Sequence, residues 1–101
     1  MPDYKAPVRD IRFVVNELLE SEKVHQKLPG YEEATEDLMN AIIDEGARFA
    51  ENVLAPLNRV GDEEGCQWNP ECVTTPAGYK EAYAQYVDNG WPALSAAPEY
   101  G

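Results

Sequence analysis

The sequence predicts a small all-α protein, a bundle of about three amphipathic helices, with a very short hairpin possible before the last helix. Apolar residues recur every three or four positions in three separate stretches. A helix-starting residue precedes each stretch, namely Pro7, Thr35 and the pair Thr75-Pro76. With 101 residues and 44% hydrophobic composition, the chain has room for one modest core.

The first helix is predicted to begin at Pro7, whose missing N–H is not needed at the first helical position. Its core-facing side is expected to carry Val8, Ile11, Val14, Val15, Leu18 and Leu19. Its solvent-facing side is expected to carry Arg9, Arg12, Asn16, Glu17 and Glu20. Residues 21–30 lose this spacing and end in Leu28-Pro29-Gly30, which predicts a connector.

The second helix is expected to be capped by Thr35, with Glu36 and Asp37 in the first turn, where the helix dipole favours negative charge. Its inner face is predicted to carry Leu38 or Met39, Ile42, Gly46, Phe49, Val53 and Leu57. Its outer face is predicted to carry Asp44, Glu45, Arg48, Glu51 and Asn52. Pro56 cannot donate a backbone hydrogen bond, so the helix should kink or stop near residues 52–55 and a polar loop should follow over 58–65.

The last third of the chain predicts a hairpin and a third helix. Gln67-Trp68 and Cys72-Val73-Thr74 flank the turn sequence Asn69-Pro70-Glu71. Thr75-Pro76 predicts the start of the helix, whose apolar face is expected to carry Tyr79, Ala82, Tyr83, Tyr86 and Val87. Asn89-Gly90 should end it, with Trp91 packing back on Tyr86, and residues 94–101 are expected to be extended or loop-like.

The charge balance argues against two classes of partner. Nineteen acidic and eight basic residues give a net charge of −11, which repels nucleic-acid phosphates and anionic lipid surfaces. No run of about eighteen apolar residues occurs, and residues 1–5 do not resemble the start of a signal peptide. We therefore expect a cytoplasmic protein that binds neither nucleic acid nor membrane.

The residues assign no catalytic, cofactor-binding or metal-ligating role to any position. Five carboxylates fall on the predicted outer faces of the helices and are expected to be solvated, namely Glu17, Glu20, Asp44, Glu45 and Glu51. His25, the single histidine, is expected at the surface or at a helix end. Cys66 and Cys72 form no CxxC pair, so two thiols in a loop of a reducing compartment are favoured over a metal site or thiol switch. The aromatic stripe Tyr79, Tyr83, Tyr86 and Trp91 could form a ligand platform, but core packing is favoured.

Three stretches together resemble the opening of an acyl-CoA dehydrogenase. They are residues 4–13 (YKAPVRDIRF), residues 49–58 (FAENVLAPLN), and residues 90–94 continued by Pro98-Glu99-Tyr100-Gly101. The second is similar to the family's early helix pattern FAEEVLAPL, and the third to its GW and PEYGG motifs. The first is similar to an N-terminal extension in a bacterial subgroup that includes 3-(methylthio)propionyl-CoA dehydrogenase-like enzymes.

The resemblance implies that the chain is one part of a longer flavoenzyme. Residues 1–30 would be the extension helix and its connector, and residues 31–101 would begin the truncated N-terminal helical domain. The full enzyme would use FAD to oxidise an acyl-CoA thioester and would pass electrons to an electron-transfer flavoprotein. The family's flavin-binding regions and its catalytic glutamate have no counterpart here, so this segment would bind no FAD and be inactive alone.

Two further expectations concern partners. The segment would pack against the remainder of the dehydrogenase chain, and the apolar faces left uncovered would favour a homo-oligomer through the first or third helix. The alternative is a self-standing helical module for protein interaction or dimerisation. The intact mass of the native protein or its gene context would separate these two interpretations.

Overall fold

The computed structural model describes residues 3–100, so Met1, Pro2 and Gly101, which belong to the predicted start and tail, lie outside it. The chain divides into two compact units, one ending at Asn52 and one beginning at Val53. The first holds α1 (Val8–Arg12), a π-helix (Phe13–Leu18), α2 (Ser21–His25) and α3 (Glu36–Phe49). A second π-helix (Ala50–Leu54) spans the division. The second unit continues with α4 (Ala55–Glu64), β1 (Gln67–Trp68), β2 (Val73–Thr74), α5 (Tyr79–Asp88) and 3-10 turns at Trp91–Ala93 and Pro98–Tyr100.

These elements confirm the predicted all-α class and the short hairpin. Strands β1 and β2 pair antiparallel, with Gln67 opposite Thr74 and Trp68 opposite Val73. The Asn69 side-chain oxygen accepts hydrogen bonds from the backbone N–H groups of Glu71 and Cys72, at 2.9 and 3.0 Å. Asn69 therefore closes the predicted turn, because an Asx side chain can replace a backbone acceptor there.

The first helix turns inward a more polar face than the one predicted, because Arg12 and Asn16 are half-buried beside Val8 and Val15. Arg12, expected in solvent, donates from Nη2 to both carboxylate oxygens of Asp44, at 2.5 and 2.6 Å. Asn16 donates to the side-chain oxygen of Asn40 at 2.8 Å. We call these pairs, with the Ala6 N–H that donates to Glu51 at 2.9 Å, the polar seam. Asp44 and Glu51 thus face the first helix, and the prediction that they point outward is wrong.

The physical reason for this error is the pairing of polar side chains with α3, which the prediction did not consider, and not the π-helix over Phe13–Leu18. The predicted face assumed 3.6 residues per turn throughout, whereas a π-helix takes more residues per turn. Each position after Arg12 is therefore rotated relative to an α-helix. Arg12 and Asn16 lie four residues apart and share one side of the helix in either winding, whereas Val14 and Leu18 lie away from that side and remain in solvent. Pro7 precedes α1 and is not its first residue.

Part of the predicted connector is helical. Glu20 adopts the left-handed conformation, with φ +47°, and separates the first helix from the short α2. Gly30, with φ +88°, lies in the turn that follows α2. The short α2 has five residues, too few for apolar spacing to indicate a helix.

The second predicted helix has the expected start. The Thr35 hydroxyl accepts a hydrogen bond from the N–H of Leu38 at 3.2 Å, and Glu36 and Asp37 occupy the first turn. The irregularity expected before Pro56 is also present, as the π-helix over Ala50–Leu54. The polar loop predicted for 58–65 is wrong, however, because α4 continues to Glu64 with Pro56 in its first turn, where proline is tolerated.

The third predicted helix begins later than expected. Gly78, with φ +87°, occupies the cap position of α5, and Thr75 is not the cap. The carboxylate of Glu64 accepts the N–H of Ala77 at 2.9 Å instead. The end of α5 is as predicted, with Gly90 at φ +83°. The tail contains a 3-10 turn, and the predicted packing of Trp91 on Tyr86 stays a prediction.

Candidate functional site

The second unit contains an apolar groove of about 440 Å³ between α4 and α5. It is lined by Leu54, Leu57, Asn58, Tyr79, Ala82, Tyr83 and Tyr86. Ala82 forms its floor and is only 6% exposed, whereas Tyr83 on its rim is 67% exposed. The lining is therefore mainly apolar and aromatic, as is typical of sites for apolar ligands or helices.

Two glycines allow α4 and α5 to approach closely at one end of this groove. A Cβ atom on Gly61 would overlap the Tyr79 hydroxyl and lie 2.9 Å from its Cζ. A Cβ on Gly78 would lie 2.8 Å from Cδ2 of Leu57. The Tyr79 hydroxyl donates to the Leu57 carbonyl at 3.3 Å. Sequence analysis missed Gly61 because it placed that residue in a loop, where a glycine has no packing consequence.

The aromatic stripe is divided between packing and exposure. Tyr79 and Ala82 line the groove and are at least half-buried, as the core interpretation predicts, while Tyr83 and Val87 are exposed. Tyr83 and Tyr86 lie with ring centroids 6.2 Å apart at 33°. Trp91 is half-buried but does not line the groove. Sequence analysis therefore identified the groove residues of α5 but overestimated their burial.

The groove lining does not fit a flavin dinucleotide. A pyrophosphate needs backbone N–H groups at a glycine-rich helix start or cationic side chains. Asn58 and tyrosine hydroxyls are the polar groups here, and no lining residue is cationic. On the neighbouring turn, Arg59 is already paired with Glu63 at 2.8 Å. No chemical step through a flavin is derived for this segment.

The polar seam of the first unit joins helices and does not form a reaction centre. The Arg12 and Asp44 side chains are about 40% exposed, so neither is held in a dry cleft. The other carboxylates considered as acids or bases are exposed, namely Glu17, Glu20 and Glu45. The Nε atom of Arg12 is buried without a hydrogen-bond partner among residues 3–100.

The pKa values of one exposed ion pair, Glu20 and Lys23, are shifted from their ordinary values. The hydrogen bond and charge of Lys23 lower the pKa of Glu20, and Glu20 raises the pKa of Lys23 by the same interactions. The two side chains lie 2.9 Å apart in solvent, as expected for a surface ion pair. His25, at the end of α2 as predicted, stacks on Tyr31 with a centroid distance of 6.4 Å. None of these four side chains is among the residues that line the groove.

The hairpin register opposes a disulfide between the two free cysteines. Cys72 closes the turn opposite Asn69, whereas Cys66 precedes β1, three residues further along the strand. Three residues of strand span about 10 Å, well beyond the Cα separation of about 4.4–6.8 Å that a disulfide needs. A thiol switch would therefore require the hairpin to open. Within the described range, no cluster of three His, Cys, Asp or Glu side chains could hold a metal ion.

Of the helices described, none combines the length and apolar character that crossing a membrane requires.

Comparison with known proteins finds clear relatives, although no family model matches. The chain is 42% identical over 98 residues to 3-methylmercaptopropionyl-CoA dehydrogenase of Ruegeria pomeroyi. The matched stretch covers 97% of this chain and 16% of that protein. It is 29% identical over 91 residues to butyryl-CoA dehydrogenase of Syntrophomonas wolfei. That matched stretch covers 87% of this chain and 15% of that protein. The chain thus spans about a sixth of the length of these curated relatives.

Proposed function

We propose that this chain, which belongs to the acyl-CoA dehydrogenase family, is the N-terminal helical scaffold of such an enzyme and is not catalytic alone. The scaffold would hold the first helices in place and offer apolar surfaces to the remainder of the dehydrogenase chain. Residues 1–30 would be the extension with its connector, and residues 31–101 would begin the helical domain.

The surface area of the chain carries this proposal. A compact 11.3 kDa protein exposes about 5,700 Å², and two separate compact units of half that mass together expose about 6,900 Å². This chain exposes 8059 Å². Eighteen large hydrophobic side chains are exposed, and only Pro76 and Ala82 are buried within 3–100. Such a surface is typical of a segment that further polypeptide covers.

The full enzyme, in this proposal, would oxidise an acyl-CoA thioester between its α and β carbons. FAD would supply the hydride acceptor, and an electron-transfer flavoprotein would take the electrons in the cytoplasm. The groove lacks the cations that the phosphates of FAD or CoA would need, so those contacts would come from other parts of the enzyme. The role left to residues 3–100 is positional.

Complementation tests the proposal directly. The Ruegeria relative with its matched segment removed should lose flavin retention, because its helical domain would lack these helices. Co-expression with this chain should restore bound flavin, measured by visible absorbance, and acyl-CoA oxidation. The purified chain alone should remain colourless and inactive.

A groove variant provides the matched control. Ala82→Glu would place a charge on the groove floor and should abolish restoration, because a buried unpaired charge is costly. Glu81→Ala alters the exposed neighbouring residue and should restore as well as the unmodified chain. Bound flavin in the chain alone, or a deleted enzyme that keeps its flavin, would contradict the scaffold role. A stable complex with an unrelated protein in place of the dehydrogenase would favour the interaction-module alternative.

A further inference from the structure

Asn89, at the end of α5, is followed by Gly90, and of the six asparagines in the chain it is the one that precedes a glycine. The side-chain carbonyl carbon of an asparagine can be attacked by the backbone nitrogen of the next residue. Glycine favours this attack because it has no Cβ that would crowd the nitrogen. Asn89 and Gly90 are both exposed, and a Cβ built on Gly90 would meet nothing within 4 Å. Solvent therefore reaches both partners of this reaction.

The end of α5 holds the two residues in a conformation that opposes the attack. The Gly90 N–H donates to the Val87 carbonyl at 3.0 Å, so its nitrogen is engaged in the last turn. At the Asn89 ψ of −1°, the Gly90 nitrogen eclipses the Asn89 nitrogen and lies away from the Asn89 Cβ. Closing a ring with the side chain requires rotation about this bond, which breaks the hydrogen bond to Val87. The last turn of α5 must therefore open before Asn89 can react.

We propose that Asn89 is a self-modification site, at which the chain converts this asparagine into an aspartyl or isoaspartyl residue when the last turn of α5 opens. The Gly90 nitrogen bonds to Cγ of Asn89 and loses its proton, and the side-chain amide nitrogen takes up a proton and leaves as ammonia. The product is a succinimide ring. A water molecule then adds to either ring carbonyl and breaks its bond to nitrogen, without any oxidation or reduction. This inference is independent of the dehydrogenase proposal.

Either product weakens the helix end at which it forms. The new carboxylate would lie beside Asp88 at the C-terminus of α5, where the helix dipole disfavours negative charge. The isoaspartyl product also carries the main chain through Cβ, and this added atom disrupts the left-handed cap at Gly90, where φ is +83°. Conversion of Asn89 therefore makes the last turn of α5 easier to open, and refolding does not reverse it.

Peptide mapping by mass spectrometry tests the proposal on the intact chain. During incubation in buffer, Asn89 should exchange ammonia for water, while Asn58, which is followed by Arg59, should remain unchanged. Asn89→Gln keeps an amide at the helix end but would need a larger ring that closes slowly, so this variant should remain unmodified. In denaturing urea, where α5 is open, conversion of Asn89 should be at least about tenfold faster than in buffer.

A second pair of the same two residue types tests the control by helix opening. Ala41→Gly places a glycine after Asn40, inside the longer α3. In buffer, Asn40 of this variant should convert at least about tenfold more slowly than Asn89, because openings are rarer within a helix than at its end. In urea the two rates should be similar. Absence of conversion at Asn89 in buffer, while the urea sample converts, would overturn the proposal. Equal rates for Asn89 in buffer and in urea would overturn the control by α5.

Discussion

The two units join their helices through different kinds of contact. In the first unit, α1 and α3 are joined by the polar seam, while apolar residues such as Val14 and Leu18 remain exposed. In the second unit, α4 and α5 are joined by close packing of Tyr79 over Gly61, with one hydrogen bond to the Leu57 carbonyl. One contact depends on charge and amide pairing, and the other depends on shape.

The difference shows why neither unit has a large core. A seam between partly exposed polar groups contributes modest stability, since solvent screens the charges. A close approach at glycine buries the few atoms that lie at the crossing, here around Ala82. Both kinds of contact between helices leave apolar side chains exposed to solvent.

The largest difference from a matched control is expected for Gly61→Ala in the second unit. The new methyl group would overlap the Tyr79 hydroxyl and displace it from Leu57, which should lower the free energy of unfolding by about 2 kcal/mol despite alanine's higher helix propensity. Urea denaturation measures the change. Asp62→Ala, the next residue in α4, should change it by less than about 0.5 kcal/mol. Equal effects of the two substitutions would mean that close packing does not join α4 and α5.

Gly78→Ala should separate backbone strain from packing. Alanine at φ +87° costs about 1–2 kcal/mol, and its Cβ would also press on Leu57. At Gly90, with φ +83°, an added Cβ would meet nothing within 4 Å, so the substitution there would carry the strain alone. Thermal unfolding should therefore show Gly78→Ala to be more destabilising than Gly90→Ala by about 1 kcal/mol. No difference between them would remove Leu57 from the account.

A smaller effect is expected in the polar seam. Arg12→Met removes the hydrogen bonds from Nη2 to both carboxylate oxygens of Asp44 and should cost about 1 kcal/mol, because an unpaired carboxylate remains against the first helix. High salt should reduce this cost. Arg48→Met, which removes the exposed pair with Glu45, is the matched control and should be nearly neutral. A cost for Arg12→Met that does not change with salt would point to lost side-chain packing instead.

The smallest effect concerns the exposed pair of Glu20 and Lys23. Because Lys23 lowers the pKa of Glu20, the pair stabilises the fold above the ordinary glutamate pKa and loses this contribution as pH falls through the lowered value. The raised pKa of Lys23 means that its contribution is present below the ordinary lysine pKa and is lost as pH rises through the raised value. Lys23→Gln should return the pKa of Glu20 toward its ordinary range in an NMR titration. An unchanged Glu20 pKa would show that the pair does not form in solution.

Several elements follow directly from local sequence. Thr35 caps α3 because its hydroxyl can accept an N–H from the first turn, and Gly90 ends α5 because glycine tolerates positive φ. The Asn69 turn closes the hairpin for a similarly local reason. The acyl-CoA dehydrogenase resemblance was also readable from short motifs, and the relatives confirm it.

The tertiary structure alone decided which side of the first helix faces inward and where α4 ends. The spacing of Val14 and Leu18 indicates a helix, but Arg12 and Asn16 face α3 through polar pairs and leave those apolar residues in solvent, which sequence periodicity does not report. Gly61 and Tyr79 are far apart in sequence, so their contact depends on how α4 and α5 cross. Local hydrogen bonding fixes caps and turns within a few residues, whereas facing surfaces depend on contacts between elements that the sequence does not encode locally.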